Sequence, residues 1–169
     1  MNFTSKSRYG LKVMMDLADT FEQGLQQRHS IAGRQNIPLD YMDQILAKFK
    51  QAQLIKSTRG RAGGVQLKKA PSEISLWEIL LAAEDNMHPV KCLEYEGCDW
   101  EARCISVEAW NDVYSIIRKE LSKKSLAELV ENWKMKKQNL PPSLLSNLVN
   151  KNPQTHLADS LEQKSKCCR

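Results

Sequence analysis

The 169-residue sequence predicts a mainly α-helical fold carrying one small β-hairpin. Three observations predict it. Apolar residues recur at helical spacing in stretches both before and after the middle of the chain. Two short alternating runs, Ile55 with Ser57 and Val65 with Leu67, flank a turn rich in glycine and arginine, "STRGRAGG". Two capping boxes, Ser75 with Glu78 and Ser125 with Glu128, mark where later helices begin.

The first element follows the polar stretch "TSKS", where Thr4 or Ser5 is placed to cap a helix over about residues 5–22 with Met14, Leu17, Ala18 and Phe21 on one face. A short second helix fits "SIAGRQN", with Ser30 at its start and Ile37-Pro38 ending it. A third, "LDYMDQILAKFKQAQ", puts Met42, Ile45, Leu46 and Phe49 on one side. Asp40, Asp43, Gln44, Ala47, Lys48 and Gln51 remain on or near the other. Two helices joined by a tight turn and followed by the hairpin make a helix-turn-helix with a β-hairpin wing.

The turn admits three readings: a phosphate cradle, a solvated hairpin tip, and a finger that enters a nucleic-acid groove. A cradle is disfavoured, because no Gly-Lys-Ser/Thr follows and no helix opens behind it. Gly60, Gly63 and Gly64 permit positive φ and close approach, so Arg59 and Arg61 can form a narrow cationic tip suited to a minor groove or to phosphates. The preceding helix pair favours DNA over a merely solvated turn.

Beyond the wing, "ISLWEILLAAE" reads as a packing helix. Residues 105–121 carry Trp110, Val113, Tyr114, Ile117 and Leu121 at helical spacing, and another helix starts after Ser125. A long apolar helix behind a DNA-binding module is most simply a dimer contact, since two-fold proteins read two half-sites; packing back on its own domain is the alternative. Residues 138–169, with Pro141, Pro142 and Pro153 among polar residues, read as a flexible tail. The expected organisation is a DNA-binding domain over 1–84, a cysteine-bearing loop over 85–105, dimerisation helices over 106–137, and the tail.

Charge is unevenly spread. Residues 1–70 hold 12 Lys/Arg against 5 Asp/Glu, residues 71–109 hold 2 against 9, and residues 110–169 hold 11 against 6. The basic N-terminal part is the candidate for a polyanion. No run approaches the roughly 18 to 20 apolar residues of a membrane span, and "MNFTSKSRYG" is not a signal peptide, so a cytoplasmic protein without membrane contact is expected.

The acidic middle contains "CLEYEGCDWEARC", with Cys92, Cys98 and Cys104 six residues apart. Three thiols on one short loop suit a soft metal such as zinc, copper(I) or an iron-sulfur cluster, while inert or redox-active thiols are the competing reading. The adjacent Cys167 and Cys168 near the C-terminus read as tail thiols outside that site.

Taken together, "TSKSRYGLKVMMDLA", "IPLDYMDQILAKFKQAQLIKSTRGRAGGVQLKKAP", "ISLWEIL" and the cysteine loop followed by "AW" resemble the IscR/NsrR/CymR-type winged-helix transcription regulators over about residues 1–135. The resemblance implies a winged helix plus a long dimerisation helix, acting as a homodimer on a roughly palindromic double-stranded operator. It also implies an iron-sulfur cluster, taken as [2Fe-2S], on Cys92, Cys98 and Cys104. In the best-known branch a histidine three residues beyond the last cysteine completes the ligand set, and here that position is Val107. Glu108, one helical turn after Cys104, His88, four residues before Cys92, or an acid or tail thiol of the partner subunit would supply the missing ligand.

The expected function is therefore a non-enzymatic, sequence-specific DNA-binding regulator whose operator affinity follows cluster or thiol state. Asp40, Tyr41, Asp43, Gln44 and Lys48 would read or position on the major groove, and Arg59 and Arg61 would anchor the wing. A thiol-based redox enzyme is disfavoured, with no CxxC motif and only three histidines available to activate a nucleophile. A cluster-free regulator controlled by thiol oxidation or a partner protein is the nearer rival.

Overall fold

The computed structural model describes residues 3–60, 63–84, 86–90, 93 and 103–139. The chain divides into two units, Met1–Asn132 and Trp133–Arg169. In the first, helices α1 (Ser5–Asp19), α2 (Arg28–Gln35) and α3 (Leu39–Gln51) precede an antiparallel hairpin, β1 (Ile55–Thr58) and β2 (Gly64–Leu67). Helices α4 (Leu76–Ala83), α5 (Val107–Ser122) and α6 (Leu126–Gln138) follow, α6 continuing past the unit boundary. This is the mainly α fold with a small hairpin that the sequence predicts. Among the described residues no helix is long and apolar enough to cross a membrane.

Side chains cap the starts of α1, α4 and α6, at Thr4, Ser75 and Ser125. Thr4 caps α1, its hydroxyl accepting from the Lys6 amide. The helix stops at Asp19 rather than near residue 22, because the Thr20 hydroxyl donates to the Asp16 carbonyl at 2.9 Å and Gly24 reverses the chain at φ +77°. Helix α2 begins at Arg28, two residues before the expected Ser30. Gln26 explains the difference: its N–H donates to the Val65 carbonyl and its carbonyl accepts from the Val65 N–H, both at 2.8 Å. That bridge holds the chain extended up to Gln27, and the helix opens directly behind it.

One core joins these pieces. Val13, Met14 and Leu17 of α1 meet Ile31 of α2, Met42, Ile45 and Phe49 of α3, and Ile55, Val65 and Leu67 of the hairpin, all nearly without solvent contact. Gly10 lets α1 approach this closely: a Cβ there would lie 2.9 Å from the Phe49 ring and 3.3 Å from the Ala83 methyl. A smaller cluster joins α4 to α5, with Trp77, Leu80 and Met87 buried against Tyr114, Ile117 and Leu121. The two capping-box serines, 50 positions apart, face each other in a short bridge. There the Leu76 N–H donates to the Lys124 carbonyl and the Leu126 N–H to the Ile74 carbonyl. The described part of the second unit, residues 133–139, is the end of α6, where Lys137 stands 5.2 Å over the Trp133 ring.

The contrast between two helical glycines gives a test of this packing. Gly10→Ala should lower stability by about 1 to 3 kcal/mol through overpacking against Phe49. Gly33→Ala, on the open side of α2 with nothing within 4 Å, should raise it by up to about 1 kcal/mol through helix propensity. Denaturant midpoints of both variants check the opposite signs.

Candidate nucleic-acid interface and cysteine segment

Helices α2 and α3 meet through a turn in which Asn36 takes the left-handed conformation at φ +51° and Ile37 plugs into the core. The turn sets α3 with Met42, Ile45 and Phe49 inward. Asp40, Asp43, Gln44 and Ala47, at the i, i+3, i+4 and i+7 positions, consequently form an exposed strip. Tyr41 and Lys48 lie on its flank. The Tyr41 ring meets the edge of Tyr9 at 5.5 Å, and Arg8 and Lys12 stand 5.1 and 6.0 Å from the Tyr9 ring centre. The half-buried Lys48 turns its Nζ to the Ala83 carbonyl at 3.1 Å, closing the end of α4. Asp43 forms an ion pair with Arg28, the first residue of α2, whose Nη1 contacts both carboxylate oxygens.

The wing stands beside this strip. Ile55 pairs with Leu67 and Thr58 with Gly64, which leaves Arg59 exposed at the tip beside Gly60 at φ +112°. Arg61 lies outside the described residues. Gly64 is required by closeness rather than by φ: a Cβ would sit 2.7 Å from the Gln26 carbonyl oxygen. Between the start of α2 and the hairpin lies a cleft of about 370 Å³, lined in part by Arg28, His29, Ser57 and Thr58.

Sequence periodicity did not flag Arg8, Tyr9, Lys12 or Arg28. The Tyr9–Tyr41 and Arg28–Asp43 contacts join separate helices, so no local spacing signals them; the excess of cations before residue 70 was the available hint.

The cysteine segment leaves from the end of α4. Cys92 and Cys98 lie outside the described residues, as do Cys167 and Cys168. Cys104 is half-buried just ahead of α5, its Sγ 3.4 Å from the Ser106 hydroxyl. Hydrogen bonding from the Ser106 side chain, joined by its backbone, holds the thiol below the usual thiol range. Glu108 is exposed in the first turn of α5. His88 is elsewhere: its ring stacks on Tyr114 at 4.5 Å and 10°, with Nδ1 buried and unpaired among the described residues. The Cys104 thiol is a soft donor of the kind an iron-sulfur cluster takes, and no group of three or more metal-ligating side chains stands together among the described residues.

Glu84 ties the root of this segment to the DNA-binding half. Its carboxylate accepts from the Thr4 N–H at 2.8 Å and from the Thr4 hydroxyl at 2.9 Å. Burial pushes Glu84 up, but hydrogen bonds from Thr4 and Ser7 outweigh it and hold the carboxyl below the ordinary carboxylate range. With the folded value depressed, its contribution to stability is present above the unfolded value of about 4.5 and lost as pH falls through the folded value. Glu84→Gln should therefore lower stability at neutral pH and flatten the acid limb below pH 4.5, as measured by denaturation across pH.

Residues 3–132 match the model of the Rrf2 family, described as an iron-dependent transcriptional regulator. The transcriptional regulator IscR of Aliivibrio salmonicida is 33% identical over 153 residues, spanning 88% of this chain and 91% of that protein. The solved structure of T. potens IscR aligns with a TM-score of 0.61 and 28% identity, over 78% of this chain and 88% of that one. CymR, the global cysteine regulator of B. subtilis, aligns with a TM-score of 0.62 and 30% identity, over 78% of this chain and 98% of that one. With a helix-turn-helix and wing in place and the family model spanning most of its length, the chain belongs to the Rrf2 family of winged-helix transcriptional regulators.

Proposed function

We propose that the protein is a cytoplasmic, homodimeric, sequence-specific DNA-binding regulator whose affinity for a roughly palindromic operator is controlled by a [2Fe-2S] cluster. One observation carries the DNA reading: α3 carries an exposed polar strip behind the helix-turn-helix turn, and the Gln26–Val65 bridge ties the entry of α2 to the hairpin that bears Arg59. Asp40, Tyr41, Asp43 and Gln44 face the major groove in this reading, with Arg59 and Arg61 on the wing; Lys48 acts from behind, joining α3 to the end of α4.

The dimer rests on α5. None of its residues is fully buried, although Tyr114, Ile117 and Leu121 pack on α4. Trp110, Val113 and Ile116 remain exposed with Ile105 just before them, an apolar face fitted to a second copy.

Cys92, Cys98 and Cys104 would hold the cluster, and the placement of Tyr114 favours Glu108 over His88 as fourth ligand. His88 is committed to Tyr114, which stands six residues beyond Glu108, or about 9 Å along the helix. A bound cluster supplies a ligand-dependent constraint on the segment between α4 and α5. The chain's own residues transmit it: Lys48 links α3 to Ala83, and Thr4 links α1 to Glu84, so the recognition helix and the helix packed behind it both touch the root of that segment. The reading without a cluster, in which thiol oxidation or a partner protein controls binding, is favoured by the low-lying Cys104 thiol and the likeness to CymR.

Anaerobic preparations test the two readings through iron, sulfide and visible absorbance. A brown wild-type protein that loses its colour in Cys98→Ala and in Glu108→Ala is expected; colour retained in Cys98→Ala refutes the three-thiolate site, and colourless, iron-free wild type supports the alternative. On DNA, affinity should fall steeply with salt. Arg59→Ala should weaken binding by about 1 to 3 kcal/mol if the side chain enters a groove. Unchanged binding removes the wing from the interface.

A further inference from the structure

The Arg28–Asp43 pair is unexplained by a simple phosphate-contact model. Asp40 and Asp43 place two carboxylates on the strip of α3 that is to meet a polyanion. Asp40 has no ion-pair partner among the described residues, whereas Asp43 receives the Arg28 Nη1 on both oxygens. The two side chains are 47% and 53% exposed, so in water the pair contributes little to folding. Its value must lie in what happens when that surface is covered.

We infer that Arg28 is the positioning residue for base recognition by Asp43, holding the carboxylate as a fixed, charge-compensated acceptor for the cytosine amino group in the major groove. An ionised carboxylate offers about four lone-pair sites, and one Arg nitrogen leaves acceptor capacity for a base. Cytosine N4 is the natural donor. The adenine amino group is flanked on both sides by acceptors, its own N7 and thymine O4, which repel a carboxylate. Covering the pair with DNA removes water and lowers the local dielectric, so the attraction between guanidinium and carboxylate strengthens where repulsion from phosphates would otherwise expel Asp43. Arg28 comes from α2 and also lines the cleft beside the wing, so the compensating charge is supplied from outside the recognition helix.

This inference rests on the DNA-reading assignment, and selection from a randomised duplex library separates the two. The full-length wild type defines the preferred half-site, and Arg28→Gln, Arg28→Ala, Asp43→Asn and the Arg28→Gln/Asp43→Asn double variant are then measured on duplexes varied at each position. Wild type should prefer cytosine at one half-site position on the order of tenfold. Each single variant should lose most of that preference while keeping preferences elsewhere, and the double variant should lose no more than Asp43→Asn. Should Arg28→Ala fail to fold, Arg28→Gln, which keeps a polar side chain and removes the charge, decides. A uniform loss of affinity with the cytosine preference intact would make Arg28 merely structural and overturn the inference. A wild type that enriches no shared sequence would overturn the DNA-reading assignment and this inference with it.

Discussion

The buried carboxylate of Asp16 is the constraint on which the DNA-binding half depends. Its side chain is 4% exposed and would be costly there alone. Arg34 donates to it from Nε at 3.0 Å and Nη2 at 2.6 Å, and Gln35 from its amide at 2.8 Å, so α1 grips the C-terminal turn of α2 through three hydrogen bonds. The Arg34 Nη2 also reaches the Gln26 amide oxygen at 3.2 Å. Gln26 in turn is the residue bonded both ways to Val65 of β2. One desolvated charge thus orients both ends of α2 and, through Gln26, the hairpin. Arg34 is 41% exposed, but the buried end of the pair and its three hydrogen bonds hold this junction more firmly than the exposed ion pairs around it.

Stiffness at that junction gives the interface its geometry. The turn at Asn36 and Ile37 carries the orientation of α2 into α3, and the bridge at Gln26 ties the start of α2 to β2 of the wing. At the other end, Lys48 on the Ala83 carbonyl and Glu84 on the Thr4 N–H and hydroxyl add polar links to the core packing of Ile79 and Ala83 at the root of the cysteine segment. A packed helical head tied at this root to a segment rich in thiols is a physical arrangement suited to being biased by what that segment binds.

Elements with local signals were legible in the sequence. The capping box at Ser75, the serine cap at Ser125, the apolar stripe of α3 and the two strands flanking the glycine-rich turn all depend on residues within a few positions of one another, and the structure contains each. Tertiary contacts shifted the boundaries: the start of α2 moved to Arg28 because Val65, far along the chain, pins Gln26. On α3, the exposure of Asp40, Asp43 and Gln44 followed from helical period alone, but the turning of Lys48 toward Ala83 and the pairing of Asp43 with Arg28 join separate elements and leave no periodic trace. The buried Asp16 was similarly invisible, since a lone acid on an amphipathic helix ordinarily marks the solvent side.

Hydrogen exchange in Asp16→Asn, which preserves shape and removes the charge, tests the central role of this carboxylate most directly. The account predicts that the Val65 amide, bonded to the Gln26 carbonyl, loses protection together with the amides of α2, while the Leu126 amide, bonded to the Ile74 carbonyl, keeps its protection. Loss of protection confined to α2, with Val65 exchanging as in the wild type, would contradict it and show that the wing is held independently of Asp16.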